Sequence, residues 1–558
     1  MFPYFGPVMC KFTKEEISLI QKTLSKLHEQ GLYERREPQA KLLNDIRLTL
    51  NSDKPVFAFE SSIGLGRKLA YLLASLVRAK LTGKQVVVST SNLVSQQAIF
   101  EQAKKLQNVL DFSFEVDLLQ LGAKSIEADL HIITHSDFAN GVIFGGNGLL
   151  PRPTQAIYIF EEAHRLEEMI CEASKSVFSF KETYELLDSL NVNTDKVTDA
   201  VVQLHQWVIS NHSTLFVSSS NRHFEKGILP TELYTLLDKA KFLIDQLGMS
   251  QDKLNGLSEL SNNISGLLQC AISEIPLAKW VSFSGEDNYS LSVQPISVAD
   301  IMERFVWSSN CGVLLTSSTL QMVDNLAPSG VSHLRFLNSL NLDYSTACVS
   351  SYEYQPEKIS QSTLSVPNIP FEVTTNEFLP WLKHSILNYC DGHTGTVVLF
   401  SSVGMMESVR NSIEATCTTR GILIQCQGDR NVEEITVNHN KAIALGYRSI
   451  IFGLMSVFEA LGRLDNTSNV LLIKLPFSIP DVPHLKAKCA YEETLGRLSF
   501  YSMTLPQVSI DINQCLLRTA ALSENASRCV IFDRRIVNKL YGESLIQTMP
   551  PLQLEIEN

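Results

Sequence analysis

The stretch VFAFESSIGLGRKLAYLL, residues 56–73, carries the reading that decides the fold. A β-branched and aromatic run, Val56 to Phe59, leads through Glu60, Ser61 and Ser62 into a turn holding Gly64 and Gly66. Helical periodicity follows, clearest from Leu69 to Arg78. A strand, a glycine turn and a helix start together make an anion cradle, because backbone N–H groups converge where the helix dipole is positive. The strict phosphate-loop pattern GxxxxGK[ST] adds a lysine for the β- and γ-phosphates and a hydroxyl for Mg²⁺. Here Arg67 stands at the lysine position and Lys68 at the hydroxyl position. Taken alone, the motif is as consistent with a structural turn as with a nucleotide site.

Outward from this turn, similar runs recur at Val86 to Val88, Leu130 to Ile133 and Ile157 to Phe160, each followed by a polar or glycine-containing turn and helical periodicity. The pattern predicts a parallel sheet with helices on both faces. The fourth run ends in Glu161-Glu162-Ala163-His164. Open α/β sheets place ligands at the C-terminal ends of their strands, where one acid can hold Mg²⁺ and another can orient a water. Two acids starting a helix are also stabilising on their own. From Cys171 to about Ile275 the chain turns helical, as in VTDAVVQLHQWVIS and ELYTLLDKAKFLIDQL, and short strands return near Trp280–Phe283 and Tyr289–Val293. A second α/β region begins near Phe371, with strands expected at Val397–Phe400, Ile450–Phe452, Val470–Ile473 and Cys529–Phe532. Residues 350–370 read as a loop between the halves.

With 558 residues, 44% of them hydrophobic and 19% charged, the chain has enough apolar surface for several cores. No apolar run approaches the length of a membrane span, and the N-terminal MFPYFGPVMC lacks the pattern of a secretory signal. A cytoplasmic location without a membrane partner is the expectation. The net charge of −12 and pI near 5.6 argue against coating nucleic acid by bulk charge, but leave room for a local basic channel. Eleven cysteines are scattered, with no CxxC pair and none between Cys10 and Cys171, which argues against a disulfide framework or a four-cysteine zinc site.

In order along the chain, these segments resemble the DinG branch of the XPD-like superfamily 2 helicases. Arg36-Glu37-Pro38-Gln39 resembles that family's adenine-reading RxPQ segment, and ESSIGLGRKLAYLL its E-A-x-T-G-x-G-K-T-L-x-Y-L. VVVSTSNLVSQQ from Val86 resembles motif Ia, ADLHIITHSDF from Ala128 the NH-x-LL segment, and EEAHRLEE from Glu161 resembles DEAHRLEE. LLTSSTL from Leu314 resembles the SATL motif that couples the lobes. FGLMSVFEALG from Phe452, IKLPFSIPDVP from Ile473 and the segment from Leu505 follow the family's later signatures.

The resemblance implies an α/β fold of two RecA-like parallel-sheet lobes with a mainly helical arch insertion. The first lobe would comprise residues 1–170, with a shortened insert near 105–150, and resume at 296–360. The arch would span 171–295 and the second lobe 361–558. By the same resemblance, Arg36, Gln39, Gly64, Gly66, Arg67, Lys68 and Glu459 would bind ATP, and Glu161 would hold Mg²⁺. Glu162, His164, Gln514 and Arg518 would serve catalysis, and Thr90, Asn92 and His135 would contact single-stranded DNA. ATP-coupled translocation and unwinding of DNA is the implied activity.

Several positions depart from the family. Iron–sulfur ligation needs thiolates, so the cysteine-free stretch before Cys171 implies no iron–sulfur cluster. Cluster-free members occur among the DinG-like helicases of type IV CRISPR systems, and that likeness implies a CRISPR ribonucleoprotein partner. Gly462 replaces an Asp and Ala460 a Gly, while Leu517 and Ala521 replace the Gly and second Arg of QxxGRxxR. Arg67, Lys68 and Ala521 are expected to converge on one phosphate. The alternative to an active helicase is therefore a degenerate one that binds DNA or protein without turnover.

Overall fold

The computed structural model describes residues 13–52, 56–118, 127–143, 150–190, 193–211, 230–249, 255–269, 276–283, 288–309, 311–354, 357–478, 482–522 and 526–557. Parts of the expected insert near 105–150 and of the expected arch lie outside these residues. Two seven-stranded sheets organise the rest, and every pairing within them is parallel.

Across the first sheet the strands run Cys348–Tyr352, Val56–Ser61, Gly312–Ser317, Ala156–Glu161, Gln85–Thr90, Leu130–Thr134 and Val116–Leu118. Alternation explains its burial on both sides. Val86 and Val88 enter one core while Val87 enters the other, and Ile157 and Ile159 oppose Tyr158 and Phe160 in the same way. The second sheet runs Ile422–Cys426, Arg448–Leu454, Gly395–Phe400, Thr467–Leu472, Arg528–Ile531, Thr363–Val366 and Gln553–Ile556. Val397 and Leu399 face one of its cores, Val398 and Phe400 the other.

The expected loop between the halves is not all loop. Cys348–Tyr352 closes the edge of the first sheet, and Thr363–Val366 lies inside the second. Both runs are short and mixed in polarity, so period-2 patterning is weak there while pairing with apolar neighbours decides the outcome.

Between the two passes through the first sheet, helices Phe180–Ser189, Asp195–Asn211, Thr231–Met249 and Asn255–Gln269 surround a core shared with an antiparallel sheet of Ser176–Ser179, Tyr289–Pro295 and Leu277–Phe283. This insertion also touches the second lobe. Ala487, on helix Pro483–Thr494, packs against Ala278 and Ile296, and His484 Nε2 lies 3.2 Å from the carbonyl of Pro295. The lobes themselves interlock at helix Leu505–Leu522: Ile510 is buried in a core of the first lobe, while Val323 is buried in a core of the second.

Candidate nucleotide site and lobe junction

Sheet order brings the site together. The strand Gly312–Ser317 lies between Val56–Ser61, which leads into the glycine turn, and Ala156–Glu161, which ends in the acids. Three loops therefore leave the same sheet edge side by side.

In the glycine turn, Gly64 (φ 85°) and Gly66 (φ 87°) adopt the left-handed backbone that a Cβ disfavours. A Cβ on Gly66 would also lie 2.2 Å from Gln39 Nε2. That closeness comes with hydrogen bonds: Gln39 Nε2 donates to the Gly66 carbonyl at 2.9 Å, and Arg36 Nη1 donates to the Gly64 carbonyl. The Arg36 guanidinium sits 4.8 Å from the centre of the Tyr354 ring. Gln39 is buried, yet its Oε1 has no hydrogen-bond partner among the described residues. A buried acceptor without a donor is costly, and the exocyclic amine of adenine is a donor that would satisfy it.

Arg67, first residue of helix Arg67–Thr82, does not extend toward a phosphate. Its Nε and Nη2 donate to Glu161 Oε1 at 3.1 and 2.9 Å, and Nη2 also donates to Glu162. Burial opposes the charged guanidinium, but Glu161 and Glu162 outweigh it and raise its pKa further. Glu162 reaches this pairing from a left-handed backbone (φ 56°), uncommon for a residue with a Cβ. The expected convergence of Arg67, Lys68 and Ala521 on one phosphate is corrected accordingly: Arg67 is engaged by the acids, and Ala521 is exposed near the end of helix Leu505–Leu522. Lys68 is half-buried beside the turn.

The fit to the implied groups is therefore split. The base-binding side offers an orphaned acceptor and a cation over an aromatic ring. The metal side suits Mg²⁺ poorly: one oxygen each of Glu161 and Glu162 is paired with Arg67, which leaves Glu161 Oε2 without a hydrogen-bond partner among the described residues, and Lys68 takes the sequence position at which a hydroxyl would ligate. No cluster of three or more His, Cys, Asp or Glu suited to a metal occurs among the described residues.

Next to the acids, the lobes meet through neutral hydrogen bonds. His164 Nδ1 lies 2.8 Å from Ser317 Oγ, which donates to Glu162 Oε2 at 3.4 Å. Burial, reinforced by Arg165 and Arg67, drives the His164 pKa well below its ordinary value, so the ring is neutral. From the second lobe Gln514 donates to Ser317 Oγ at 3.4 Å and to Thr319 Oγ1, and accepts from Ser318 Oγ at 3.2 Å. Glu60 anchors the same loop: its Oε2 accepts from the backbone N–H groups of Leu320 and Gln321, the latter at 2.8 Å.

Sequence reasoning passed over a second, charged link. Arg165 of the first lobe pairs with Glu459 of the second, and its Nη2 lies 3.9 Å from Asp511. Burial pushes the Asp511 carboxyl up to about 7, with Arg165 opposing and Glu459 adding to the rise. Arg165 was visible within EEAHRLEE, but nothing local marks an arginine that will cross to another lobe. Glu459 thus binds a side chain rather than standing free, and Arg518 donates to the Leu461 carbonyl and stacks over Phe458 at 5.4 Å.

The expected DNA contacts need correction. Thr90 and His135 are fully buried, and His135 Nδ1 lies 2.7 Å from Ser89 Oγ. Desolvation lowers the His135 pKa to about 4, so it offers no charge to a phosphate. Asn92 caps helix Leu93–Gln107, its side chain accepting from Ser95 N at 2.8 Å. As placed, the side chains of Thr90 and His135 support the loop rather than present themselves to a strand of DNA.

Two parallel-sheet lobes with loops gathered at one shared edge are the fold of the XPD-like structures, and the chain is similar to DinG/XPD-like superfamily 2 helicases. Residues 386–552 match the helicase C-terminal domain family. The chain is 25% identical over 486 residues to the ATP-dependent DNA helicase DinG of Photobacterium profundum, covering 77% of this chain and 69% of that protein. It is 23% identical over 472 residues to the ATP-dependent DNA helicase DinG of Salmonella typhimurium, covering 73% of this chain and 64% of that protein. The solved structure titled XPD_Helicase superposes with a TM-score of 0.62 at 13% identity, covering 94% of this chain and 100% of that one. Among the described residues, no helix is long and apolar enough to cross a membrane.

Proposed function

We propose that this chain is a DinG-type protein that binds single-stranded DNA and a nucleotide between its lobes, and hydrolyses that nucleotide very slowly. The pairing of Arg67 with both Glu161 and Glu162 carries this reading. The carboxylates that would hold a metal and orient water are both paired with one side chain of the protein itself. Ala521 also stands where the resemblance implies an arginine, and losing such a group is worth roughly 10³ to 10⁵ in turnover, about 4 to 7 kcal/mol of barrier. The nucleotide would be held by Arg36 and Gln39 at its base and by the turn from Gly64 to Lys68 at its phosphates. The chain divides, on this reading, into a first lobe (1–170 and 296–360), an arch (171–295) and a second lobe (361–558). The protein would work in the cytoplasm, recruited to DNA by a CRISPR ribonucleoprotein, as the likeness to cluster-free relatives implies.

A second reading, a weak but genuine ATP-driven helicase, is favoured by the junction at Gln514, Ser317 and His164, which links the lobes without interruption. Measuring ATP turnover with and without a single-stranded oligonucleotide separates the two. Oligonucleotide binding without stimulated turnover is expected. Robust stimulation, abolished by Glu162→Gln, would sink the first reading and establish the second.

A further inference from the structure

We infer that the nucleotide site of this chain takes the polyphosphate of a nucleoside triphosphate without a divalent cation, Arg67 and Lys68 together standing in for the metal. The inference rests on the reading that the glycine turn binds a nucleotide, and it specifies how.

Part of the position a metal would take is already filled: Oε1 of Glu161 is paired with Arg67, while its buried Oε2 has no hydrogen-bond partner among the described residues. Glu161 is 1% exposed and Glu162 20% exposed, and Arg67 bridges them from within the first turn of its helix. Removing the guanidinium to admit a metal would leave buried carboxylates uncompensated until the ion arrived. Mg²⁺ demands oxygen ligands in near-octahedral order, whereas this site presents two cationic side chains at the start of one helix. The guanidinium of Arg67 offsets part of the charge of the two carboxylates, and Lys68 adds a second cation at the start of the same helix. An incoming polyphosphate therefore meets a reduced negative charge, with Lys68 following directly on the left-handed turn at Gly64 and Gly66. The orphaned Oε1 of Gln39, packed against that turn, is the independent sign that a ligand belongs here.

ATP is titrated into the full chain by calorimetry, once in excess Mg²⁺ and once in EDTA. Affinities within about threefold of each other are expected. Arg67→Ala should weaken binding in EDTA by about tenfold or more, with Mg²⁺ restoring it, because the freed carboxylates then repel phosphate and attract metal. Should that variant fold poorly, Glu162→Gln serves instead: it removes one acid, and binding in EDTA should hold or tighten. A wild-type affinity that falls about tenfold or more in EDTA would overturn the inference. So would an absence of ATP binding in either buffer, which would remove the nucleotide site from the proposed function as well. Turnover followed in the same Mg²⁺ samples judges slow hydrolysis separately, so metal-independent binding and slow hydrolysis can fail independently.

Discussion

The phosphate cradle and the lobe junction share one sheet edge, yet they depart from the family pattern to very different degrees. In the cradle, Arg67 and Lys68 replace a lysine and a hydroxyl, and the acids have turned onto the protein's own guanidinium. At the junction, a few residues away, Ser317, His164 and Gln514 hold one connected set of hydrogen bonds, and Glu60 anchors the backbone of the same loop. The chemistry of phosphate transfer depends on a few charged groups at fixed positions, so on the proposed reading two substitutions suffice to slow it. Contact between the lobes rests on packing, on hydrogen bonds and on the Arg165–Glu459 pair, spread over many residues. One can be lost while the other persists.

The largest expected effect comes from restoring the family's residues at the cradle and at position 521. If the junction is competent, the triple variant R67K/K68T/A521R should gain DNA-stimulated ATP hydrolysis by about 10³-fold. Steady-state phosphate release measures it, and no gain would mean that the junction is as impaired as the cradle.

A smaller effect tests the charged link. The raised carboxyl of Asp511 contributes stability that is fully present below its ordinary value of 3.8 and is lost as pH rises through about 7. Wild-type stability should therefore decline over that window relative to Asp511→Asn. Denaturant titrations of both proteins at about pH 5 and about pH 8 give the comparison. Equal slopes would show that the Arg165–Glu459 pair masks Asp511.

The smallest effect concerns Gln514. Gln514→Ala removes hydrogen bonds to the loop of Ser317, Ser318 and Thr319, and should cost about 1 to 2 kcal/mol. Thermal unfolding measures the loss. An unchanged melting temperature would place the coupling elsewhere, in the apolar interlock.

The fold was legible wherever apolar runs were long enough to be buried on both faces. Val56–Phe59, Val86–Val88 and Ile157–Phe160 are read as strands because little else suits them. Cys348–Tyr352 escaped because it is an edge strand of mixed polarity, completed by pairing with Val56–Ser61. The site was legible as a set of residue types but not as a geometry. The substitutions at 67 and 68 were plain in the sequence, whereas the turning of Arg67 toward Glu161, 94 positions away, depends on the sheet order that places their strands close together. His135 shows the reverse error. Its motif position suggested a ligand contact, and full burial against Ser89 makes it part of the scaffold.

The exchange of Ile510 and Val323 between the two cores makes the hold of one lobe on the other depend on temperature. Any movement that parts them must expose apolar surface at this interlock, and the attraction opposing that exposure weakens on cooling. Calorimetry should therefore register lobe separation as a positive change in heat capacity, and the closed arrangement should loosen in the cold before either sheet does.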